Sequence, residues 1–361
     1  MAGAANFGTG GRGSADFGFG DFAVVGRRQF SGLSEVSSDL GVLDHTGTGA
    51  WVVVLPFDGP PVCARFDAVA SVPEGAAALP RSARWRGPDA GAWTSSLGRR
   101  DYAKRVAVVR EAIAAGDVYQ VNLCRRLSVA LPPGAGAGSG LAGLGEVLAA
   151  RHPAPHAAVV SLPSVGVAVA SASPECFLRR RGDSVESRPI KGTATPGSAF
   201  GTKDRAENVM IVDLVRNDLG RVCRPGSVDV PALCRPEAHP GLVHLVSTVR
   251  GRLRPDVGWA ALLAATFPPG SVTGAPKAAA LDVIAGLEPV ARGVYCGAVG
   301  WVDATTGDGD LNVAIRTFWL ENGVLHFGTG AAVTWDSTPE GEWEETRLKA
   351  QRLLAVAAGL P

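Results

Sequence analysis

Residues 294–330, which read VYCGAVGWVDATTGDGDLNVAIRTFWLENGVLHFGTG, decide the fold class. Runs rich in Val, Leu, Phe and Trp, separated by Gly, Asp and Asn, predict three strands over 294–302, 311–320 and 324–327. No helical spacing of apolar residues separates these strands. Successive strands without a helix between them indicate an α+β fold rather than a doubly wound parallel sheet.

Helical patterns lie on both sides of this strand-rich stretch. Apolar residues between Tyr102 and Ile113 recur at helical spacing and predict a helix that ends at Gly116. The last helix is expected to begin with Thr338 as its N-cap and Pro339 in the first helical position. Further helices are predicted before Gly220 and over 259–265 and 275–285.

Composition divides the chain into three parts. Residues 1–20 are rich in glycine and are predicted to be a flexible lead-in. Residues 21–95 form a short strand-rich N-terminal portion that joins the core, and residues 96–361 form the core itself. At 361 residues, the chain is long enough to bury a large hydrophobic core.

Charge and cysteine usage argue against several classes of protein. The 35 basic and 34 acidic side chains give a net charge of +1, so nucleic acid and acidic membranes are not expected partners. The six cysteines are scattered without metal-ligand spacing, which predicts free thiols in a reducing compartment. No apolar run is long enough to span a bilayer. We therefore predict a cytoplasmic protein.

Two pairs of acidic residues have the spacing of a shared helix face. Asp204 and Glu207 form one pair, and Glu342 and Glu345 form the other. Each pair alone is typical of a solvated surface. If the two faces meet in a cleft, their carboxylates repel one another and favour a bound cation, for which Mg²⁺ is the natural candidate. Lys349 lies on the same face as Glu345 and is available to pair with it or with a substrate carboxylate.

Other polar residues are ambiguous when each is considered alone. Lys191 is an ordinary surface lysine unless a dry cleft lowers its pKa, and Glu175 is a turn residue unless burial makes it a proton donor. The glycine-rich segments 270–277 and 328–330 lack phosphate-loop spacing but are consistent with backbone N–H groups that approach an anion. Segment 328–330 is predicted to be a turn after a strand. His244 and Arg316 are typical of structural residues when each is read singly.

The combination of these segments is far more specific than any one of them. It includes Tyr119-Gln120-Val121-Asn122, Ser173-Pro174-Glu175, Pro189-Ile190-Lys191-Gly192-Thr193, Asp204-Arg205-Ala206-Glu207-Asn208, Val212–Gly220, Gly274-Ala275-Pro276-Lys277, Ala314-Ile315-Arg316-Thr317 and Glu342-Trp343-Glu344-Glu345. In this order they resemble the chorismate-binding family, which includes component I of anthranilate synthase, component I of aminodeoxychorismate synthase, and the isochorismate and salicylate synthases. The resemblance covers residues 96–358 and makes the core the chorismate-binding catalytic part.

The resemblance implies two large antiparallel sheets packed face to face, with helices on their outer faces and the active site in the cleft between them. It implies that Glu207 and Glu345 bind Mg²⁺ directly and that Asp204 and Glu342 support the ion through water. It also implies roles for the remaining candidates: Arg316, Tyr295 and Gly330 at the enolpyruvyl carboxylate, Lys349 at the ring carboxylate, His244 beside the ring, Glu175 as the acid that assists departure of the C4 hydroxyl, and Gln120, Thr193 and Thr273 as further substrate-binding residues.

Two positions predict the branch of the family. Water-adding members resemble one another in having a lysine base where this chain has Gln120, and glutamine cannot deprotonate water. Anthranilate synthases usually have alanine where this chain has Lys191, whereas a lysine there is typical of aminodeoxychorismate synthases. By resemblance, that lysine attacks C2 of the ring as the C4 hydroxyl leaves, and ammonia then enters at C4.

The predicted activity requires a source of ammonia. No glutaminase pattern of Cys, His and Glu is present, so we expect a separate glutamine amidotransferase subunit to deliver ammonia. Component I of anthranilate synthase remains the alternative within the family. A catalytically inactive homologue that binds a partner is the alternative of another class. The sequence does not separate a role in para-aminobenzoate and folate supply from a role in a para-aminobenzoate-derived secondary metabolite.

Overall fold

The computed structural model describes residues 20–44, 49–72, 85–131, 140–194, 197, 199–239 and 242–360. The predicted lead-in therefore lies outside the described residues except for Gly20. The described strands are β1 (Phe22–Val25), β2 (Arg28–Ser37), β3 (Ala50–Leu55), β4 (Val62–Ser71), β5 (Thr94–Ser95), β6 (Gln120–Ala130), β7 (His156–Leu162), β8 (Val167–Ser173), β9 (Cys176–Arg181), β10 (Ser184–Arg188), β11 (Ile190–Ala194), β12 (Asp229–His239), β13 (Leu242–Arg252), β14 (Gly274–Ala275), β15 (Ala298–Asp303), β16 (Gly309–Val313), β17 (Thr317–Glu321) and β18 (Val324–Val333). The described helices are α1 (Arg99–Ala115), α2 (Gly140–Arg151), α3 (Thr202–Gly220), α4 (Trp259–Thr266), α5 (Lys277–Leu287) and α6 (Pro339–Ala357).

Every described strand pairing is antiparallel, as expected for an α+β fold. One half of the sheet has the order β6–β18–β17–β8–β7, and the other has the order β4–β3–β15–β16–β9–β10–β13–β12. Strands β1 and β2 connect the halves, since β1 pairs with β7 and β2 pairs with β4. The two predicted sheets are therefore joined by continuous hydrogen bonding.

The two halves of the sheet share one hydrophobic core. Val160 of β7 and Val169 of β8 belong to the same buried cluster as Val53 of β3 and Leu178 of β9. Burying an apolar side chain of this size contributes about 1.5–3 kcal/mol relative to leaving it exposed. The shared core holds the halves face to face, and α3 packs on β13 while α6 packs on β18. The predicted fold class is confirmed.

The observed strands differ from the predicted ones near Arg316. The sequence predicts one strand over 311–320, but the structure has β16 and β17 with Arg316 between them at φ +53°. A non-glycine residue in this left-handed region interrupts the ladder, which separates the two strands. The prediction of a single strand is therefore wrong, and the break places Arg316 beside the interior cleft described below.

The glycine-rich segment 328–330 was expected in a turn after a strand, and this prediction is also wrong. Gly328 and Gly330 lie within β18, paired with Arg126 and Cys124 of β6. The reason is packing: a Cβ on Gly328 would lie 2.0 Å from Cγ of Tyr295. Glycine lets that ring approach the strand.

Helix ends followed the sequence more closely. Gly116 ends α1 with φ +84°, and the Thr338 hydroxyl accepts a hydrogen bond from the Gly341 N–H at the start of α6. Among the described residues, no helix is both long enough and apolar enough to cross a membrane.

Candidate active site

A cleft of about 560 Å³ opens in the fold, with walls contributed by both halves of the sheet and by α3 and α6. It collects most of the predicted site residues: Glu175, Lys191, Asp204, Glu207, His244, Tyr295, Arg316, Gly330, Glu345 and Lys349. These residues lie up to 174 positions apart in the sequence, between Glu175 and Lys349, so the fold has brought them together.

Three predicted site residues do not line this cleft, and a fourth is only partly described. Gln120 is fully buried in β6. The Thr273 hydroxyl donates to the carbonyls of Pro269 and Gly270, both at 3.2 Å, so it stabilises its own loop. Glu342 is 3% exposed and lies behind the lining. The side chain of Thr193 lies outside the described part of the structure.

Lys191 lies on β11, is half-buried and lines the cleft. Its ammonium donates a hydrogen bond to the Ser271 carbonyl at 3.1 Å. Burial lowers the pKa of Lys191, although Glu207 opposes the shift and Lys349 adds to it. The adjacent Gly192 has φ +85°, and a Cβ there would lie 3.0 Å from Cβ of Asp204. Glycine thus permits the close approach of β11 to α3 that places Lys191 near Glu207.

Glu175 lies between β8 and β9, where Ser173 fixes the backbone. The Ser173 Oγ donates to the Val313 carbonyl at 2.6 Å and accepts from the Glu175 N–H at 3.2 Å. Glu175 is only 3% exposed, and burial raises its pKa to about 7 against the lowering effects of Ser271 and Lys191. A carboxyl group with this pKa can donate and accept a proton near neutral pH. We call Glu175, Lys191 and Ser271 the Lys191 corner.

Glu207 of α3 faces Glu342 and Glu345 of α6, and with Asp204 they form what we call the acidic wall. Lys203 Nζ lies 3.8 Å from Glu207 Oε1 and 3.5 Å from Glu342 Oε1. Burial raises the pKa of Glu207 and of Glu342, and the neighbouring carboxylates add to both shifts. The two acidic faces therefore do meet, as the sequence hypothesis required.

Glu345 differs from the other acids of this wall. Burial alone would raise its pKa, but the ammonium of Lys349, 2.6 Å away, and the positive charges of Lys203 and Lys191 lower it. Lys349 also donates to the Gly330 carbonyl at 3.2 Å, so it links α6 to β18. The arrangement keeps an ionised carboxylate at the cleft.

The acidic wall offers a donor set that fits a hard divalent cation such as Mg²⁺. Such ions prefer carboxylate oxygens and keep water in the rest of their coordination shell. Oε2 of Glu342 is buried and has no hydrogen-bond partner among the described residues, so it has unused capacity to accept. Asp204 has less capacity to bind a cation, because its Oδ2 already accepts a hydrogen bond from the Gly201 N–H at 2.9 Å and caps α3.

A different cluster of metal-ligand types lies outside the cleft and does not fit a cation. Ligand atoms of His156, Cys176 and Asp310 lie within 4.8 Å of one another. Arg179 already donates to Asp310 at 2.7 Å, and burial raises the pKa of the Cys176 thiol. A positive charge and a protonated thiol both oppose metal binding here.

The opposite end of the cleft is positively charged. Arg316 has no ion pair within 4.0 Å in the described ranges. Burial lowers its pKa, and the charge of Glu175 opposes that shift from further away. Its nearest polar side-chain contact there is His152, whose Nε2 lies 3.5 Å from Nη1. Tyr295 lines the same cleft. A largely enclosed guanidinium that forms no direct ion pair is suited to binding a carboxylate from a ligand.

Several lining residues were not predicted from sequence. Asn122 donates to the carbonyls of Ser271 and Thr273, at 3.3 and 3.2 Å, and so fastens their loop to β6. His152 follows α2, a helix that the sequence analysis missed. Arg352 lies on α6 seven residues after Glu345, on the same helix face, and this spacing is the one signal that could have indicated it.

Comparisons with known proteins identify the family of this chain. A family model described as chorismate binding enzyme matches residues 61–355. The chain is 41% identical over 276 residues to anthranilate synthase component 1 of Streptomyces coelicolor, and 39% identical over 275 residues to aminodeoxychorismate synthase component 1 of Klebsiella aerogenes. Each match covers 73% of this chain but only 52% and 59% of those relatives. The chain therefore spans between half and three fifths of their length.

Solved structures show the same fold. Anthranilate synthase component I from Streptococcus pneumoniae is 25% identical, with a TM-score of 0.70 over 95% of this chain and 82% of that one. A putative isochorismate synthase from Bacillus anthracis is 24% identical, with a TM-score of 0.76 over 95% and 96% of the two chains. Because the family model matches most of the sequence, the chain belongs to the chorismate-binding enzymes.

Proposed function

We propose that this chain converts chorismate and ammonia to 4-amino-4-deoxychorismate. The observation that carries the proposal is Lys191, whose ammonium lies in the cleft against the Ser271 carbonyl with a pKa lowered by burial. A lysine that reaches the substrate uncharged is a nucleophile. Relatives named for this activity and for anthranilate synthesis are about equally similar, so Lys191 is the feature that favours amination without pyruvate release.

The first chemical step joins Lys191 to the ring. The uncharged amine forms a bond to C2, both ring double bonds shift by one position, and the bond between C4 and its hydroxyl breaks. Glu175 gives its proton to the departing hydroxyl, which leaves as water. The pKa of about 7 makes Glu175 protonated in a large fraction of molecules at neutral pH.

The second step releases Lys191. Ammonia attacks C4, both ring double bonds shift back, and the C2–N bond to Lys191 breaks. The Glu175 carboxylate takes a proton from the new ammonium group, which restores the starting acid. One turnover therefore restores the starting protonation states of Glu175 and Lys191, and no other acid or base is needed.

Binding uses both charged ends of the cleft. Glu207 and Glu345 would hold Mg²⁺, with Asp204 and Glu342 supporting it, and the ion would supply positive charge for the ring carboxylate. Lys349 lies beside the same carboxylate. Arg316, Tyr295 and the β18 backbone at Gly330 hold the enolpyruvyl carboxylate, and His244 packs beside the ring. Two separated carboxylate anchors fix the ring relative to Lys191.

Ammonia is expected from a separate glutamine amidotransferase subunit. Several relatives are named component 1, which supports a second component. Purified chain should use ammonium salts but not glutamine, with turnover rising as the NH₃ fraction increases. Consumption of glutamine by the purified chain would contradict the proposal that a separate subunit supplies the ammonia.

Anthranilate synthesis is the second candidate, favoured by the 41% identity to the Streptomyces coelicolor enzyme. The distinguishing experiment incubates the chain with chorismate, Mg²⁺ and ammonium and identifies the product by mass. We expect 4-amino-4-deoxychorismate and no pyruvate. Anthranilate fluorescence with stoichiometric pyruvate would favour the second candidate, and unchanged chorismate would favour an inactive homologue.

A further inference from the structure

The Arg316 end of the cleft contains a histidine without a role in the reaction described above. His152 follows α2 and lines the cleft, with Nε2 3.5 Å from Nη1 of Arg316. Arg352 of α6 lines the same end. In the described residues no carboxylate lies within 4.0 Å of Arg316. The acid whose charge acts on it is the buried Glu175, which is itself partly protonated near neutral pH, so this end presents positive charge to any ligand that enters.

The contact with Arg316 favours the neutral form of His152. A guanidinium has only donors and stays protonated, so Nε2 of His152 must be the acceptor. The imidazole is therefore neutral, with its proton on Nδ1. Burial, then the charges of Arg316 and Arg352, lower the pKa of His152 to about 4, which agrees with the geometry.

The surroundings of His152 oppose a positive charge until an anion arrives. The charged groups that act on it from neighbouring elements are Arg316 and Arg352, both cationic. Arg151 of α2 is exposed and donates to the Leu360 carbonyl, so it is engaged elsewhere. An anion bound to Arg316 would lie beside His152 and would favour its protonated form.

We propose that His152 takes up one proton from solvent when a substrate carboxylate binds Arg316, and then holds that carboxylate jointly with Arg316. Nε2 changes from acceptor to donor: the Arg316 N–H turns from the imidazole to the carboxylate, and the new His152 N–H donates to the same group. This inference rests on the proposed function, because it assigns the ligand of Arg316 as the enolpyruvyl carboxylate of chorismate.

Proton linkage sets the expected pH dependence. Because the bound state has the higher His152 pKa, chorismate affinity should rise as pH falls through that bound-state value. His152→Asn keeps a polar side chain but cannot carry the charge. We expect this variant to bind chorismate about tenfold more weakly near pH 6 and nearly as well as the parent near pH 8.

The direct test is NMR titration of histidine-labelled protein in a Lys191→Ala background, which keeps chorismate intact, with saturating Mg²⁺. His152 is assigned by the signal that His152→Asn removes. We expect the pKa of His152 to be about 4 in the free protein and to rise to about 7 with chorismate, which is the rise that a tenfold effect near pH 6 requires. His326, which is buried against Ser128 outside the cleft lining, is the control signal that should not move.

Each outcome decides between the two claims. Saturable chorismate binding with an unchanged His152 pKa would overturn the role of His152 and leave the proposed function standing. Failure of chorismate to bind would overturn both. In Arg316→Met without chorismate, the pKa of His152 should rise, because a positive neighbour is gone, and chorismate should no longer raise it. An unaltered pKa in that variant would show that the two side chains do not interact.

Discussion

The Lys191 corner and the acidic wall share one cleft but treat charge in opposite ways. At the corner, burial lowers the pKa of Lys191 and raises that of Glu175, so both groups approach their uncharged forms. On the wall, the Glu345 and Lys349 side chains remain 44% and 53% exposed and form an ion pair that lowers the pKa of Glu345. Desolvation therefore prepares one region for bond making, and the lysine charges around Glu345 keep an ionised carboxylate for binding in the other.

The largest effect is expected at the corner. Lys191→Ala should slow formation of the amino product by about three orders of magnitude or more, the scale typical of losing a covalent nucleophile. Chorismate binding should survive, since Arg316 and Lys349 remain. Product formation with ammonium, measured by mass, checks this. Lys104→Ala, at an exposed lysine of α1, is the matched control.

Glu175→Gln tests whether the other half of the corner supplies the proton. We expect a loss of about 10²–10³-fold, typical of removing a general acid. The sign of the pH dependence follows from the raised pKa: Glu175 is protonated below pH 7, so the parent rate per molecule of NH₃ should fall above about pH 7. The Glu175→Gln variant should not show this fall in rate above pH 7. Glu321→Gln, at an exposed position, should still show it.

Substitutions in the acidic wall should weaken Mg²⁺ binding rather than slow the chemical step. Glu207→Gln and Glu345→Gln each remove an ionised oxygen donor, so we expect the Mg²⁺ concentration for half-maximal activity to rise about 100-fold. Titration calorimetry with Mg²⁺ alone gives a second readout. Glu344 lies next to Glu345 on α6 and pairs with Arg347, so Glu344→Gln is a matched control. Parent-like behaviour of Glu345→Gln at limiting Mg²⁺ would place the metal elsewhere.

Smaller effects are expected from the supporting acids. Asp204 caps α3 and Glu342 lies behind the lining, so Asp204→Asn and Glu342→Gln should weaken Mg²⁺ about tenfold each. The same titration measures them, and thermal melting separates loss of the cap from loss of the metal. If these substitutions weaken Mg²⁺ as much as those at Glu207 and Glu345 do, the assignment of direct and supporting ligands is wrong.

The sequence predicted the parts of the molecule that depend on local pattern. Helix ends such as Gly116 and Thr338 follow from backbone conformation and capping, and both were correct. The acid pairs required only helical spacing. The meeting of α3 with α6 could not be derived from spacing, because it depends on two packed halves of a sheet and was reached through family resemblance.

The features that sequence missed are set by tertiary contact. Arg316 looks like part of a strand until its left-handed backbone separates β16 from β17. Gly328 looks like a turn residue, but it is required inside β18 by the Tyr295 ring. His152 has no local signal at all, because its significance comes from Arg316, 164 residues further along the chain.

The central claim is that Lys191 forms a bond to the substrate. The most direct measurement is intact-protein mass after incubation of the parent protein with chorismate and Mg²⁺ but without ammonia. We predict one chorismate-derived adduct, with the mass expected after loss of water, on the parent and none on Lys191→Ala. An adduct that persists on Lys191→Ala, or amination that continues undiminished in that variant, would contradict the claim.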